Sequence, residues 1–410
     1  MNAVRYHGWR VVAACFAVAG VAWSLGLFGA SVYLQAITQA RAWPVSQVAS
    51  AITAFFLVAA ALQRRVGRAI DRHGPRPVLS AGLLSMCAGV ALVGQASAPW
   101  QLYPCFALIG IGWACLSTTA LSATVAPWFE RHQGRSITLA IMGASLGAIL
   151  GVPLLLAAVQ GLGVGAGLGL VAVAALVLLM PLIRRVLRHR GPAELGLLPD
   201  GEAPPTGVAP APVAAPLAAR GRPRMLLWSC ATAFALALTV QIGFITHHVA
   251  LATPRLGVAG AGALVSATGL TAFAGRLLLA RVVDRLSVRG LSAAAMIAQA
   301  AALGAIAAWP EPAVLVGASL LYGWGIGQVT TLGPVVVRRE FGAAAFGATY
   351  GAAAMLIQFS SAAGPALFGL GRDALGGYRP VLAVAAVLVL GAAALVVLGE
   401  ALGRRSPPGR

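Results

Sequence analysis

The sequence predicts an all-α integral membrane protein of twelve transmembrane helices, built as two six-helix pseudo-symmetric bundles. Three observations lead there. The 410 residues are 59% hydrophobic and only 10% charged, with a mean hydropathy of +0.87, so the chain cannot present a polar surface to water. Twelve apolar runs are each long enough to cross roughly 30 Å of hydrocarbon as helix. Finally, the two halves carry the same residues at a constant offset.

In chain order the spans are expected at residues 12–35, 47–63, 77–96, 100–122, 136–157 and 163–183, then at 226–250, 260–280, 291–308, 312–336, 346–369 and 380–400. The opening "MNAVRYHGWR" lacks a cleavable signal pattern, and the run behind it is long enough to span, so it is expected to stay as the first helix. Frequent Gly and Ala suit close helix packing in lipid, although GC-rich coding favours the same residues. Cys15, Cys87, Cys105, Cys115 and Cys230 all fall in apolar runs without metal-like spacing and read as small core residues.

Between the two sets of spans, "GPAELGLLPDGEAPPTGVAPAPVAAPLAARGRP", from Gly191 to Pro223, carries eight prolines and reads as a flexible linker. The expected organisation is therefore 1–190 and 224–410 as six-helix bundles, joined by a cytoplasmic linker over 191–223. All 29 basic residues are arginine. With the N-terminus in the cytoplasm, 24 lie on the cytoplasmic side. Arg41, Arg255, Arg372 and Arg379 lie outside, and Arg276 lies within a span. Arginine accumulates on the cytoplasmic side of membrane proteins, so both termini are expected there, in a multi-pass protein of the inner membrane. The net charge of +19 then reflects topology and anionic lipid, and calls for no nucleic acid.

The repeat keeps one register throughout. "GRAIDRHGPR" aligns with "ARVVDRLSVR", matching Arg68, Asp71, Arg72 and Arg76 to Arg281, Asp284, Arg285 and Arg289. At the same offset Gly110, Gly112 and Thr118 fall on Gly323, Gly325 and Thr331, and Gly134 and Gly151 on Gly347 and Gly364. Parallel repeats of this kind can place a site between halves that is exposed alternately to either side. Asp71 and Asp284, with Arg72, Arg76 and Arg285, are candidate gating residues, because a carboxylate at a loop could bind the positive N-terminus of a helix and release it. Solvated loop charges are the alternative.

Arg276 is the one clear charge inside a span. Burying it costs roughly 2.5 to 3.5 kcal/mol on insertion scales, so it must face a cavity or a partner. All ten acidic residues fall in loops or at span ends. An unpaired guanidinium fork suits a carboxylate-bearing substrate. Alternatively the side chain snorkels, since Arg276 sits about 12 Å of helix from Asp284. His247 and His248 could carry a proton or donate a hydrogen bond, or could be structural. Gln241, Trp113, Thr118, Tyr322, Gln328, Thr331 and Gln358 could line a cavity or make interhelical hydrogen bonds. No nucleotide loop, metal-ligand cluster or nucleophilic triad is visible, so neither an enzyme nor a cofactor is expected.

"GRAIDRHGPRPV" and its second copy resemble the signature loop of the major facilitator superfamily, over essentially the whole chain. Within it, "GWRVVAACFAV", "GPAELGLLPDG", "GFITHHVALATPRLG" and "GRLLLARVVDRL" resemble the monocarboxylate transporter and oxalate:formate antiporter branch. That resemblance implies that Arg276 meets a substrate carboxylate. Animal members carry an acidic residue one turn earlier, where this chain has Ala272, so an Asp–Arg pair is absent. The expected function is secondary active transport of small organic anions, foremost monocarboxylates, by alternating access with proton symport, with protons and membrane lipid as further partners and a monomeric chain. A drug or metabolite exporter of the same fold, or a non-transporting membrane sensor, are the other readings.

Overall fold

The computed structural model describes residues 6–201, 224–283, 285–309, 311–341 and 346–405. Among these, ten helical stretches are long and apolar enough to cross a membrane. Two of them, Gln133–Val186 and Leu226–Leu279, are 54 residues long. A straight helix of that length would run about 80 Å, far beyond a bilayer core of roughly 30 Å. Both break at a glycine with positive φ, Gly163 at φ 80° and Gly257 at φ 69°, a conformation open to glycine at little cost. The first break is a reversal of the chain, because a Cβ on Gly167 would lie 2.5 Å from the carbonyl oxygen of Ala158. Counted as two crossings each, these stretches restore the twelve spans.

The chain divides into two compact units, Met1–Trp43 with Ala54–Ala211, and Pro44–Thr53 with Pro212–Arg410. The first contains α1 (His7–Leu25), α2 (Gly29–Arg41), most of α3 (Val45–His73), α4 (Pro75–Val93), α5 (Leu102–Leu116), α6 (Thr118–Val125), α7 (Gln133–Leu146) and α8 (Val152–Val186). A π turn at Gly147–Gly151 joins α7 to α8. The second contains α9 (Arg224–Val282), α10 (Val288–Ala308), α11 (Pro312–Phe341), α12 (Phe346–Ala362), α13 (Gly364–Ala374) and α14 (Tyr378–Arg405). Pro44–Thr53, which the sequence assigns to the first half, packs with the second unit.

The repeat seen in sequence is also a repeat of contacts. A Cβ on Gly110 would lie 2.5 Å from the Phe55 carbonyl oxygen, and one on Gly323 would lie 2.5 Å from that of Thr268. Gly112 packs on the backbone of Gly82 and on Met86, while Gly325 packs on Ala295 and Gln299. Each partner is displaced by the offset that sets Arg68 on Arg281. Glycine at these positions lets the backbones of α5 and α11 approach their neighbours to a distance that any side chain would forbid.

The segment read as a free linker begins as a docked one. Pro192–Leu195 and Pro199–Gly201 form short 3₁₀ turns, and Asp200, in the left-handed region at φ 62°, aims its carboxylate at the connection between α6 and α7. Oδ2 accepts the backbone N–H groups of Glu130 and Arg131 at 2.9 and 2.8 Å, and Oδ1 lies 3.0 Å from His132 Nδ1. Partial burial works to raise the pKa of this carboxyl, but the bonds from Arg131, Glu130 and His132 outweigh it and hold it below the ordinary carboxylate range.

Candidate functional site

The polar groups of the second unit gather on α9 and the helices packed against it. Up to its break at Gly257, α9 presents Gln241, Phe244 and His248 at intervals of three and four residues, on one face. Gln241 Oε1 accepts from Gln299 Nε2 of α10 at 2.9 Å. Phe244 lies 4.3 Å, centroid to centroid, from the ring of Tyr322 on α11 and 4.7 Å from that of His248. His248 Nε2 lies 3.0 Å from Ser319 Oγ, also on α11. All five of these polar residues are buried, Gln299, Ser319 and Tyr322 completely.

His247 is one residue, or about 100° of helix rotation, away from His248, and it serves a different interface. Its Nε2 is 3.0 Å from the carbonyl oxygen of Pro365 and its Nδ1 is 2.8 Å from the hydroxyl of Tyr378. A carbonyl can only accept, so Nε2 carries the hydrogen and, in the neutral ring, Nδ1 accepts from Tyr378. Both nitrogens are therefore engaged in holding α9 to α13 and α14. Next to it on this face, Gly243 packs against Phe368 and the Gly364 carbonyl.

Beyond Gly257, the second part of α9 runs against α11. Arg276 is half-buried and has no hydrogen bond or ion pair among the described residues. Its stem crosses α11 at Gly327, where an added Cβ would lie 2.6 Å from Arg276 Cγ and 3.1 Å from Nε. The carbonyl of Gly327 accepts from Thr331 Oγ1 at 2.7 Å. The Arg276 stem and the Thr331 hydroxyl thus both touch Gly327, about 7.5 Å along the helix from Tyr322. Four buried polar atoms of this unit have no partner among the described residues, and two of them, Tyr322 Oη and Gln299 Oε1, lie on or against the Gln241–Phe244–His248 face. Buried donors and acceptors are normally satisfied, so these two leave capacity for a water or a ligand group.

The remaining candidates are dispersed. Gln328 is buried on α11, whereas Gln358 is exposed on α12. Trp113 belongs to the first unit, where its ring lies 4.6 Å from that of Trp23 and 5.9 Å from that of Phe55. Thr118 is exposed at the start of α6. Asp71 and Arg72 are exposed in the last turn of α3, as is Arg76 in the first turn of α4, and Arg285 is exposed too. Asp284 lies outside the described residues. Its neighbour Arg289 is buried, donating from Nη1 to the Val396 carbonyl at 2.7 Å. Gln299, Phe244, Ser319 and Tyr378 were not singled out in sequence. For Gln299 a signal existed: the repeat offset sets it against Met86, so the second copy introduces an amide where the first has a thioether.

Ten long apolar stretches, two of them broken at a glycine, in duplicated halves with a buried polar stripe and an arginine unpaired among the described residues, define a polytopic membrane protein. The chain belongs to the Major Facilitator Superfamily, whose family profile matches residues 12–258, more than half of its length. It also resembles the multidrug resistance protein MdtH of Yersinia enterocolitica and of Yersinia pestis, at 32% identity over 85 residues in both cases. That match spans 21% of this chain and only 21% of each of those proteins. In structure it resembles a bacterial homologue of the human lysosomal transporter Spinster, in inward-facing unoccupied and occupied forms. The TM-score is 0.74 and the identity 14% for both, covering 99% and 98% of this chain and 100% and 99% of those chains. At that identity the likeness is one of fold.

Proposed function

We propose that the protein is a secondary active transporter of small organic anions, foremost monocarboxylates, that works by alternating access with proton symport. The observation that carries this reading is Arg276. A guanidinium held at depth without a counter-charge among the described residues is an anion receptor. Thr331 at the same turn, and Tyr322 and Gln299 with spare hydrogen-bonding capacity, would complete a polar wall for a carboxylate and its substituents. Asp71, Arg72, Arg76, Asp284 and Arg285 act as gating residues, with both termini in the cytoplasm and the chain a monomer in the inner membrane.

The test is a binding titration on purified protein with acetate, pyruvate, lactate and benzoate. Arg276→Ala removes charge and fork, and loss of one partner of a buried charged pair typically costs about 2 to 5 kcal/mol. Affinity for the best acid should fall by roughly thirty-fold or more. Arg276→Lys keeps the charge without the fork and should fall between. Equal affinity in all three proteins would sink the anion reading.

A second reading, export of drugs or metabolites, is supported by the similarity to MdtH over 85 residues. Exchange of cations for protons calls for an intramembrane carboxylate, and the acidic residues of this chain fall in loops or at span ends. Counterflow of a labelled acid in proteoliposomes separates the two, since an exporter of cations would show none.

A further inference from the structure

We propose that Gly327 is a positioning residue for Arg276, placing the guanidinium where it can clamp an anion; the inference rests on the reading of Arg276 given above. The geometry is specific. A Cβ on Gly327 would stand 2.6 Å from Arg276 Cγ, closer than real Cβ atoms approach, and a tight 3.1 Å from Nε. The clash is with the stem of the arginine and not its flexible tip, so relief would have to swing the whole side chain.

The helix crossing is close on its own account as well. The same Cβ would lie 2.6 Å from the Ala272 carbonyl oxygen, and a Cβ on Gly275 would lie 2.6 Å from that of Trp324. The internal repeat shows which residues change together. At the offset that sets Gly110 on Gly323, Arg276 corresponds to Gln63 and Gly327 to Ala114. In the first unit the position equivalent to Gly327 thus carries a methyl group, and Ala114 is fully buried there, while Gly275 corresponds to Leu62. Gln63 donates from Nε2 to Thr119 Oγ1 at 3.0 Å. The contacts of Gly110 and Gly323, one turn away, are otherwise the same in the two copies. Glycine therefore appears where the long cationic side chain appears, and alanine suffices where it does not. The two threonines that bond the Gly327 carbonyl, Thr330 at 3.2 Å and Thr331 at 2.7 Å, fix this turn of α11 further.

The test is a double-mutant cycle on the purified full-length protein, reading the dissociation constant for the tightest of acetate, pyruvate, lactate and benzoate, together with the melting temperature. Gly327→Ala should weaken binding by about tenfold, a part of what Arg276→Ala removes. In the Arg276→Ala background the same change should alter the dissociation constant by less than about twofold, because no clamp is left to misplace. A packing role alone would lower the melting temperature in both backgrounds and leave the affinity of the folded protein unchanged. Gly323→Ala, crowded against the Thr268 carbonyl but away from the arginine, serves as that packing control.

Wild-type affinity in Gly327→Ala, or an equal loss in both backgrounds, overturns the proposal. Should Gly327→Ala fail to fold, recovery of the Arg276→Ala, Gly327→Ala double variant supports it, and failure of both assigns Gly327 to packing. The anion reading itself fails separately, if Arg276→Ala binds as wild type or if wild type binds none of the four acids.

Discussion

The carboxylate of Asp373, at the end of α13, caps the first turn of α3: its Oδ2 accepts the backbone N–H of Ser46 at 2.9 Å. The cap is part of a connected set. Arg372 Nη1 holds Asp373 Oδ1 at 2.8 Å, and its guanidinium lies 5.7 Å from the ring centroid of Tyr378. Tyr378 in turn bonds His247. Two turns further along α3, Thr53 Oγ1 accepts the backbone N–H of Ala366 at 3.0 Å. A carboxylate suits a helix N-terminus, whose first amides lack partners and carry partial positive charge. This explains why Pro44–Thr53 packs with the second unit while the rest of α3 belongs to the first.

Asp373→Asn should loosen these opening turns. A hydrogen bond to a charged acceptor contributes about 1.5 to 3 kcal/mol, of which the amide oxygen would retain part. With the native cysteines replaced by alanine, a cysteine at the buried Val45 should react with a hydrophilic maleimide roughly tenfold faster in Asp373→Asn. Thr53→Val, which removes the other acceptor, should act in the same direction. Unaltered labelling in both variants would show that the cap does not hold the helix.

The two histidines should behave differently. His247 is engaged at both nitrogens, so His247→Gln should lower the melting temperature by several degrees and leave the pH profile of uptake in place. His248 has only Nε2 bonded among the described residues, so Nδ1 is the one unengaged nitrogen of the pair. His248→Gln should flatten the dependence of uptake on external pH, measured in proteoliposomes with a fixed internal pH. A full profile in His248→Gln would make both histidines structural.

Asp200 ties the stability of the first unit to pH. Its carboxyl is held below the ordinary range in the folded protein, so the stabilisation is fully present above the unfolded pKa, near 4. It is lost as the pH falls through the lower folded value. Asp200→Asn should therefore cost about 1 to 2 kcal/mol at neutral pH, and the gap from wild type should begin to narrow as the pH falls below about 4. Thermal unfolding followed between pH 7 and pH 3.5 checks this; a constant gap would mean that charge plays no part in the docking.

Orientation can be checked independently. Twenty-four cytoplasmic arginines against four outside predict a cytoplasmic 191–223 linker. A single cysteine at Ala214 should resist an impermeant maleimide in intact cells and react after lysis; labelling of intact cells would reverse the orientation.

The spans, their number and the duplication are legible in the chain alone, because these depend on the solvent and on one dimension. Hydrocarbon demands about 20 apolar residues per crossing, and a copied half keeps its offset wherever it folds. Even the glycine seams could be located this way, since Gly110 and Gly323 recur because both copies need the same close approach. Arg276 was legible as an isolated charge in an apolar run. Which faces meet is a matter of three dimensions. His247 and His248 are indistinguishable as neighbours in sequence, yet a rotation of about 100° sends one to α13 and α14 and the other to α11. Asp373 reads as a loop charge until its helix is set beside the N-terminus of α3. Asp200 reads as the start of a proline-rich linker until its carboxylate finds the amides of Glu130 and Arg131. Gly327 is one small residue among many until Arg276 lies across it. In each case the deciding quantity is the rotation of one helix against another. Packing in lipid sets that rotation through close contacts distant in the chain, and hydropathy carries no record of it.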